Sequence, residues 1–213
     1  MMAGRFIVIE GPDGTGKTTQ AKRLADALAA GGQDVIQVRE PGGCPSAERI
    51  RVLLVEGEPG DLLNWTEALL MNAARHELVE RVIRPALAAG QWVICDRYYH
   101  STLAYQGGGL GLDQSKLEAL IDMATGGLEP DILLAFALTP EDALTPARER
   151  EDEEKRFEAR EDSYHARVRH AYADVLKAAA ERGATAEIDA SGSVEDVGER
   201  VQQAVVDQFQ DAF

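Results

Sequence analysis

"IEGPDGTGKTTQA", Ile9–Ala21, decides how the rest of the chain is read. Gly11, four further residues and then Gly16-Lys17-Thr18 satisfy the GxxxxGK[ST] pattern of a phosphate-binding loop. The apolar run "RFIVIE" (5–10) precedes it and a stretch of helical period follows it, which is the context that such a loop requires. Glycines let the backbone wrap closely around a phosphate with its N–H groups pointing inward, and the helix N-terminus adds partial positive charge. Gly11, Pro12, Asp13, Gly14, Thr15, Gly16, Lys17 and Thr18 are therefore the expected ATP contacts. Lys17 would balance the β and γ phosphates, and the Thr18 hydroxyl would coordinate Mg²⁺. The loop leaves the second substrate open, because kinases, GTPase-type switches and ATPases share it.

Working outward, "DVIQVR" (34–39), "WVICD" (92–96), "DILLAFAL" (131–138) and the weaker "AEIDA" (186–190) also read as strands. Their near-continuous apolar character suits a parallel sheet covered on both faces. Between them, helical period predicts helices over 17–30, 65–89, 113–125, 140–150, 156–182 and 194–209. This alternation implies one doubly wound α/β domain spanning 1–213. The mixed-charge segment "ARERE DEEKR" (147–156) reads first as a solvated helix connection.

The net charge of −15 argues against a broad footprint on DNA, RNA or an anionic membrane, since each calls for a basic face. Any phosphate-bearing ligand must then meet a local cluster of arginines. Cys44 and Cys95 have no CxxC spacing, so neither a disulfide framework nor a zinc site is expected, and a cytoplasmic setting fits. No segment approaches a membrane span.

In an open parallel sheet, ligands sit beyond the carboxyl ends of the strands. Glu40 in "REPGG" (39–43), together with Asp96 and Arg97 in "DRYYHSTLAYQGGG" (96–109), should therefore share a crevice with the phosphate loop. Asp96 is placed to hold the Mg²⁺ shell and Arg97 to clamp a second phosphate, the lesser alternative being a structural Asp–Arg pair. Arg97, Ser101 and Tyr105, spaced i, i+4, i+8, would line one helical stripe of a pocket for a phosphorylated, ring-bearing molecule. Taken singly, Arg75 reads as a surface charge on a long helix and Tyr105 as a core aromatic.

With these segments in view, the sequence resembles the thymidylate kinase family. "EGPDGTGKTT", "REPGG", "NAARHELV", "DRYYHSTLAYQGGG" and "LEPDILLAFALTPE" occur in the family's order and spacing over essentially the whole chain. The resemblance implies a P-loop NTPase fold, a three-layer α/β/α arrangement with a five-stranded parallel sheet, carrying a short arginine-bearing lid at about 146–158. It further implies ATP- and Mg²⁺-dependent phosphorylation of dTMP to dTDP by a homodimer. Matched position by position, Arg51 and Arg97 would contact the acceptor phosphate, and Arg75, Thr102 and Gln106 the thymine edge. Tyr105 would lie under the sugar and crowd a ribose 2′-hydroxyl, with Ser101 in the same pocket and Asp13 and Glu40 near the sugar.

The phosphate loop has no arginine between Gly11 and Gly16, so by the family's pattern the catalytic arginine falls to the lid, where Arg148, Arg150 and Arg156 match. With Lys17, Asp13 and Arg97 they form the expected catalytic set. Met71 replaces a phenylalanine that usually stacks on thymine, Pro146 an arginine near the lid's start, and Arg160 a residue that is commonly acidic. Arg160 either supplements the lid charge or, the favoured reading, pairs with Glu161 or nearby acids on a solvated helix, and Cys44 reads as a thiol near the acceptor crevice. Two other readings remain: another nucleoside monophosphate or deoxynucleoside kinase on this fold, or a nucleotide-binding switch without phosphoryl transfer.

Overall fold

The computed structural model describes residues 4–137, 156, 159–210 and 212–213. Five parallel strands, β1 (Arg5–Glu10), β2 (Val35–Arg39), β3 (Trp92–Asp96), β4 (Ile132–Ala137) and β5 (Thr185–Asp189), form one sheet in the order β2-β3-β1-β4-β5. The central strand therefore carries the phosphate loop. Its register sets Ile9 beside Asp96, and Asp96 in turn beside Arg39, so the carboxyl ends of three strands finish level. Strand alternation divides the apolar side chains between two faces. Ile7, Ile9, Ile94, Leu134 and Phe136 pack with Leu24, Leu28, Val201 and Val205. Phe6, Val8, Val93, Cys95 and Leu133 pack with Leu78, Val79 and Ile83.

The helices on these faces are α1 (Lys17–Ala30), α2 (Pro45–Val55), α3 (Asn64–Leu78), α4 (Arg84–Ala88), α5 (Tyr99–Thr102), α6 (Gln114–Thr125), α7 (Asp162–Arg182) and α8 (Val194–Gln208). Asp113 caps α6 by accepting from Lys116 N, and Ser193 with Asp196 forms a capping box on α8.

Two predicted elements are corrected, and one helix is present that was not predicted. The chain carries α2, which the hydrophobic pattern did not single out. It starts with Pro45 in its first turn, where a missing N–H costs nothing, and buries Ala47 and Leu54 on one face. The helix expected over 65–89 is interrupted by a π-helical turn, Val79–Ile83, in which Arg84 N donates to Val79 O. A regular helix would set the Pro85 ring against the carbonyl four residues earlier, and the wider turn relieves that clash. The helix expected from Arg156 begins as a continuous element only at Asp162. The segment predicted over 140–150, with Arg148, Arg150 and Pro146, lies outside the described residues.

The stripe Arg97, Ser101, Tyr105 does not lie on one regular helix. Arg97 precedes α5 with a φ of 71°, Ser101 is in α5, and Tyr105 is in a second π-helical stretch, Leu103–Gly109. A Cβ on Gly108 would approach the Ala171 Cβ to 2.1 Å, so glycine there lets this stretch lie directly on α7. That contact brings Tyr172 of α7 under the site.

Candidate active site

The phosphate loop folds around glycines that no other residue could replace without strain. Gly11 has a φ of 146°, and a Cβ there would sit 2.5 Å from the Phe136 carbonyl oxygen on β4. Gly14 and Gly16 also take positive φ. Lys17 is buried, its ammonium donating to the Pro12 carbonyl, and the Thr15 hydroxyl donates to the same oxygen at 2.9 Å. The positive charge is thus held inside the loop.

From the first turn of α1, the Thr18 hydroxyl donates to Asp96 Oδ2 at the end of β3, at 2.6 Å. A hydroxyl and a buried carboxylate at one point are hard oxygen donors of the kind Mg²⁺ takes, so these residues fit that ion. Among the described residues no group of three or more His, Cys, Asp or Glu side chains forms a metal cluster.

Beside the loop lies a cleft lined by Glu40, Pro41, Met71, Arg75, Arg97, Tyr98, Ser101, Thr102, Tyr105 and Gln106. It brings together most of the residues expected at the acceptor. Asp13 joins the cleft to the loop, since its Oδ1 pairs with Arg97 and its Oδ2 accepts from the Tyr105 hydroxyl. Arg97 also donates to Ser101 Oγ at 3.0 Å and Tyr172 Oη at 2.6 Å, and its guanidinium stands 5.5 Å from the Tyr105 ring centre. Arg51 is not in the cleft lining; it donates to the Pro41 carbonyl at 2.8 Å, which anchors the "REPGG" turn. Cys44 is buried and likewise outside the lining.

Arg75 is not a surface charge. It is 2% exposed and donates to Glu40, to Asn72 Oδ1 at 2.7 Å and to the Thr102 hydroxyl at 3.0 Å. Glu40 takes the Arg75 Nε at 2.8 Å, while its Oε1 has no hydrogen-bond partner among the described residues. Burial outweighs the attraction of Arg75 and, with a push from Glu10, raises the Glu40 pKa to about 7. The folded protein therefore holds a proton that the unfolded chain releases above about pH 4.5. The associated stability is complete below that pH and is lost as pH rises through about 7. Accordingly, the unfolding free energy of the wild type relative to Glu40→Gln should fall by roughly 3 kcal/mol between pH 4.5 and 8. Urea titrations across that range read this directly, and a pH-independent difference would contradict it.

Glu10, the last residue of β1, belongs to the framework of the site, and sequence reasoning missed it. It is fully buried and accepts from Tyr98 N at 2.8 Å, Ser101 N at 3.0 Å, Ser101 Oγ at 2.8 Å and Tyr172 Oη at 3.0 Å. It thereby fixes the start of α5 and the two hydroxyls that hold Arg97. Burial pushes the neighbouring His100 down to about 4, so the imidazole 4.0 Å from Glu10 is neutral near pH 7. A carboxylate directly after the apolar run Phe6–Ile9 was the available signal.

Arg156 and Arg160 depart most from expectation. Arg156 is wholly buried rather than solvated, paired with Glu67 and donating to the Leu54 carbonyl at 2.8 Å. Arg160 pairs with Glu67 at 2.6 Å rather than lying on a solvated face, and its guanidinium stands 4.6 Å from the Tyr164 ring centre. The structure thus places Arg156 against α2 and α3.

A model of the thymidylate kinase family matches residues 9–201. The chain is 44% identical over 208 residues to a thymidylate kinase of Magnetococcus marinus, covering 98% of each chain. It is 45% identical over 202 residues to one of Caulobacter vibrioides, covering 92% of this chain and 97% of the relative. A thymidylate kinase of an Exiguobacterium species is 38% identical over 209 residues, covering 98% and 97%.

Proposed function

The chain belongs to the thymidylate kinase family, and from that premise we propose that it transfers the γ-phosphate of MgATP to the 5′-phosphate of dTMP, yielding dTDP and ADP for dTTP synthesis. One observation carries the residue assignment: Asp13, inside the phosphate loop, bonds to both Arg97 and Tyr105 of the acceptor cleft, so donor and acceptor sites share a wall. Two nucleotides bound head to head would meet there.

The chemistry needs positioning more than bond-making side chains. Arg97, held by Ser101 and Tyr172, would orient the dTMP phosphate for in-line attack, with Arg51 near the same turn. Lys17 would neutralise charge on the transferring group. Thr18 and Asp96 would hold Mg²⁺, whose charge would offset that of the phosphates. The loop from Gly11 to Thr18 would hold the ATP phosphates through the backbone N–H groups of its residues other than Pro12.

Arg75 with Thr102 would face one thymine edge, Gln106 another, and Met71 would cover the ring with a polarizable thioether. Tyr105 under the sugar would favour the deoxy form, and Glu40, with an oxygen to spare, would lie near the same sugar. Arg148 and Arg150 would supply the lid charge; Arg156 could join them only after leaving Glu67. The enzyme would work in the cytoplasm as a homodimer, and no helix among the described residues is long and apolar enough to cross a membrane.

A coupled assay of ADP release with MgATP tests the reading across dTMP, dUMP, dCMP, dGMP and thymidine. The highest kcat/KM should fall on dTMP, and preference for another acceptor would overturn the assignment. ATP binding without transfer to any monophosphate would favour a switch.

A further inference from the structure

Glu67 is a carboxylate with no exposure, on α3 two helical turns before Arg75. Its Oε2 receives both Arg156 and Arg160, and Arg156 is itself tied to the Leu54 carbonyl. The carboxylate is therefore fixed in orientation, and its other oxygen, Oε1, accepts from Gln106 Nε2 at 2.9 Å. An ionised carboxylate only accepts, so the Gln106 amide must turn its NH₂ toward Glu67. Its carbonyl oxygen then points away from Glu67, and Gln106 lines the acceptor cleft.

We infer that Glu67 is a specificity-determining positioning residue: it fixes the Gln106 amide so that a carbonyl oxygen, never an NH₂, is offered to the base of the acceptor. The inference rests on the acceptor cleft proposed above. A carbonyl accepts from the ring N–H of thymine or uracil. It repels the lone pair that cytosine carries at the same ring position, and a buried mismatch of that kind is costly. Selection of an imide pyrimidine over an amino pyrimidine is thus set by a residue that touches no substrate.

Glu67→Gln sharpens the test. With its carbonyl drawn to the two arginines, the introduced amide would present NH₂ to Gln106, and Gln106 would have to reverse its own amide and offer NH₂ to the base. The ratio of kcat/KM for dTMP to that for dCMP should then fall at least about tenfold. Glu67→Asp keeps the charge that the arginines require but is one methylene shorter. It provides a second variant, in which the freed amide should also lower the ratio. Both values come from the same preparation, so a loss of folded enzyme scales them equally and cannot move the ratio.

In a Gln106→Ala background neither substitution should change the ratio further, because the effect runs through that amide. A folded Glu67→Gln or Glu67→Asp enzyme with the wild-type ratio would overturn the inference, as would a ratio that still shifts without Gln106. Wild-type protein that fails to phosphorylate dTMP would instead overturn the functional reading.

Discussion

Replacing Lys17 by Met is expected to lower kcat for dTMP phosphorylation by about 10²–10³, the cost of removing one preorganised charge-stabilising donor from a site that excludes water. Lys17 is 1% exposed, and its ammonium donates to the Pro12 carbonyl, so the charge is in place before any nucleotide arrives. A phosphoryl group in flight spreads negative charge over its equatorial oxygens, and a fixed cation there needs no reorganisation as the reaction proceeds. Methionine fills a similar volume and leaves in place the loop's glycines with their positive φ angles. The thermal midpoint should therefore move little while the single-turnover rate collapses. A kcat within threefold of wild type would remove Lys17 from the chemistry.

The phosphate loop and the parallel strands were legible because both are local: a short pattern between a strand and a helix, and apolar runs of strand length. The acceptor cleft was legible because its residues recur in the family's order. Their route to one place was not, since Arg97, Ser101 and Tyr105 meet through a left-handed residue and a π-helical stretch that a 3.6-residue period does not describe. The buried acids were hidden for another reason. Glu10 finds its partners 88 and more residues away, and Glu67 is joined by Gln106, Arg156 and Arg160 from distant segments. No spacing in the sequence announces such pairings.

Charge density also misled at Arg156 and Arg160. A dense mixture of charges reads as solvated because most such segments are, yet here two arginines meet one buried carboxylate. The exception follows from Glu67, whose charge is out of reach of water and requires a counter-charge from elsewhere in the chain.

Arg156→Ala should therefore act first on stability. The substitution removes one of the two guanidiniums at Glu67 and the donor to the Leu54 carbonyl. Breaking a buried pair from one side typically costs about 3–5 kcal/mol, because the remaining charge stays desolvated. Arg160 still faces the same carboxylate oxygen, which sets the expectation at the lower end, about 3 kcal/mol. For a chain of this size that corresponds to a fall of roughly 6–12 °C in the thermal midpoint, measurable by calorimetry. Turnover at a temperature where the variant remains folded should fall far less than the roughly 10³–10⁵ that removal of an arginine finger costs. Arg148→Ala and Arg150→Ala should show the opposite balance, a large loss of kcat at a nearly unchanged midpoint. An unaltered midpoint in Arg156→Ala, with turnover reduced a thousandfold, would detach Arg156 from its anchoring role at Glu67 and return it to the phosphates.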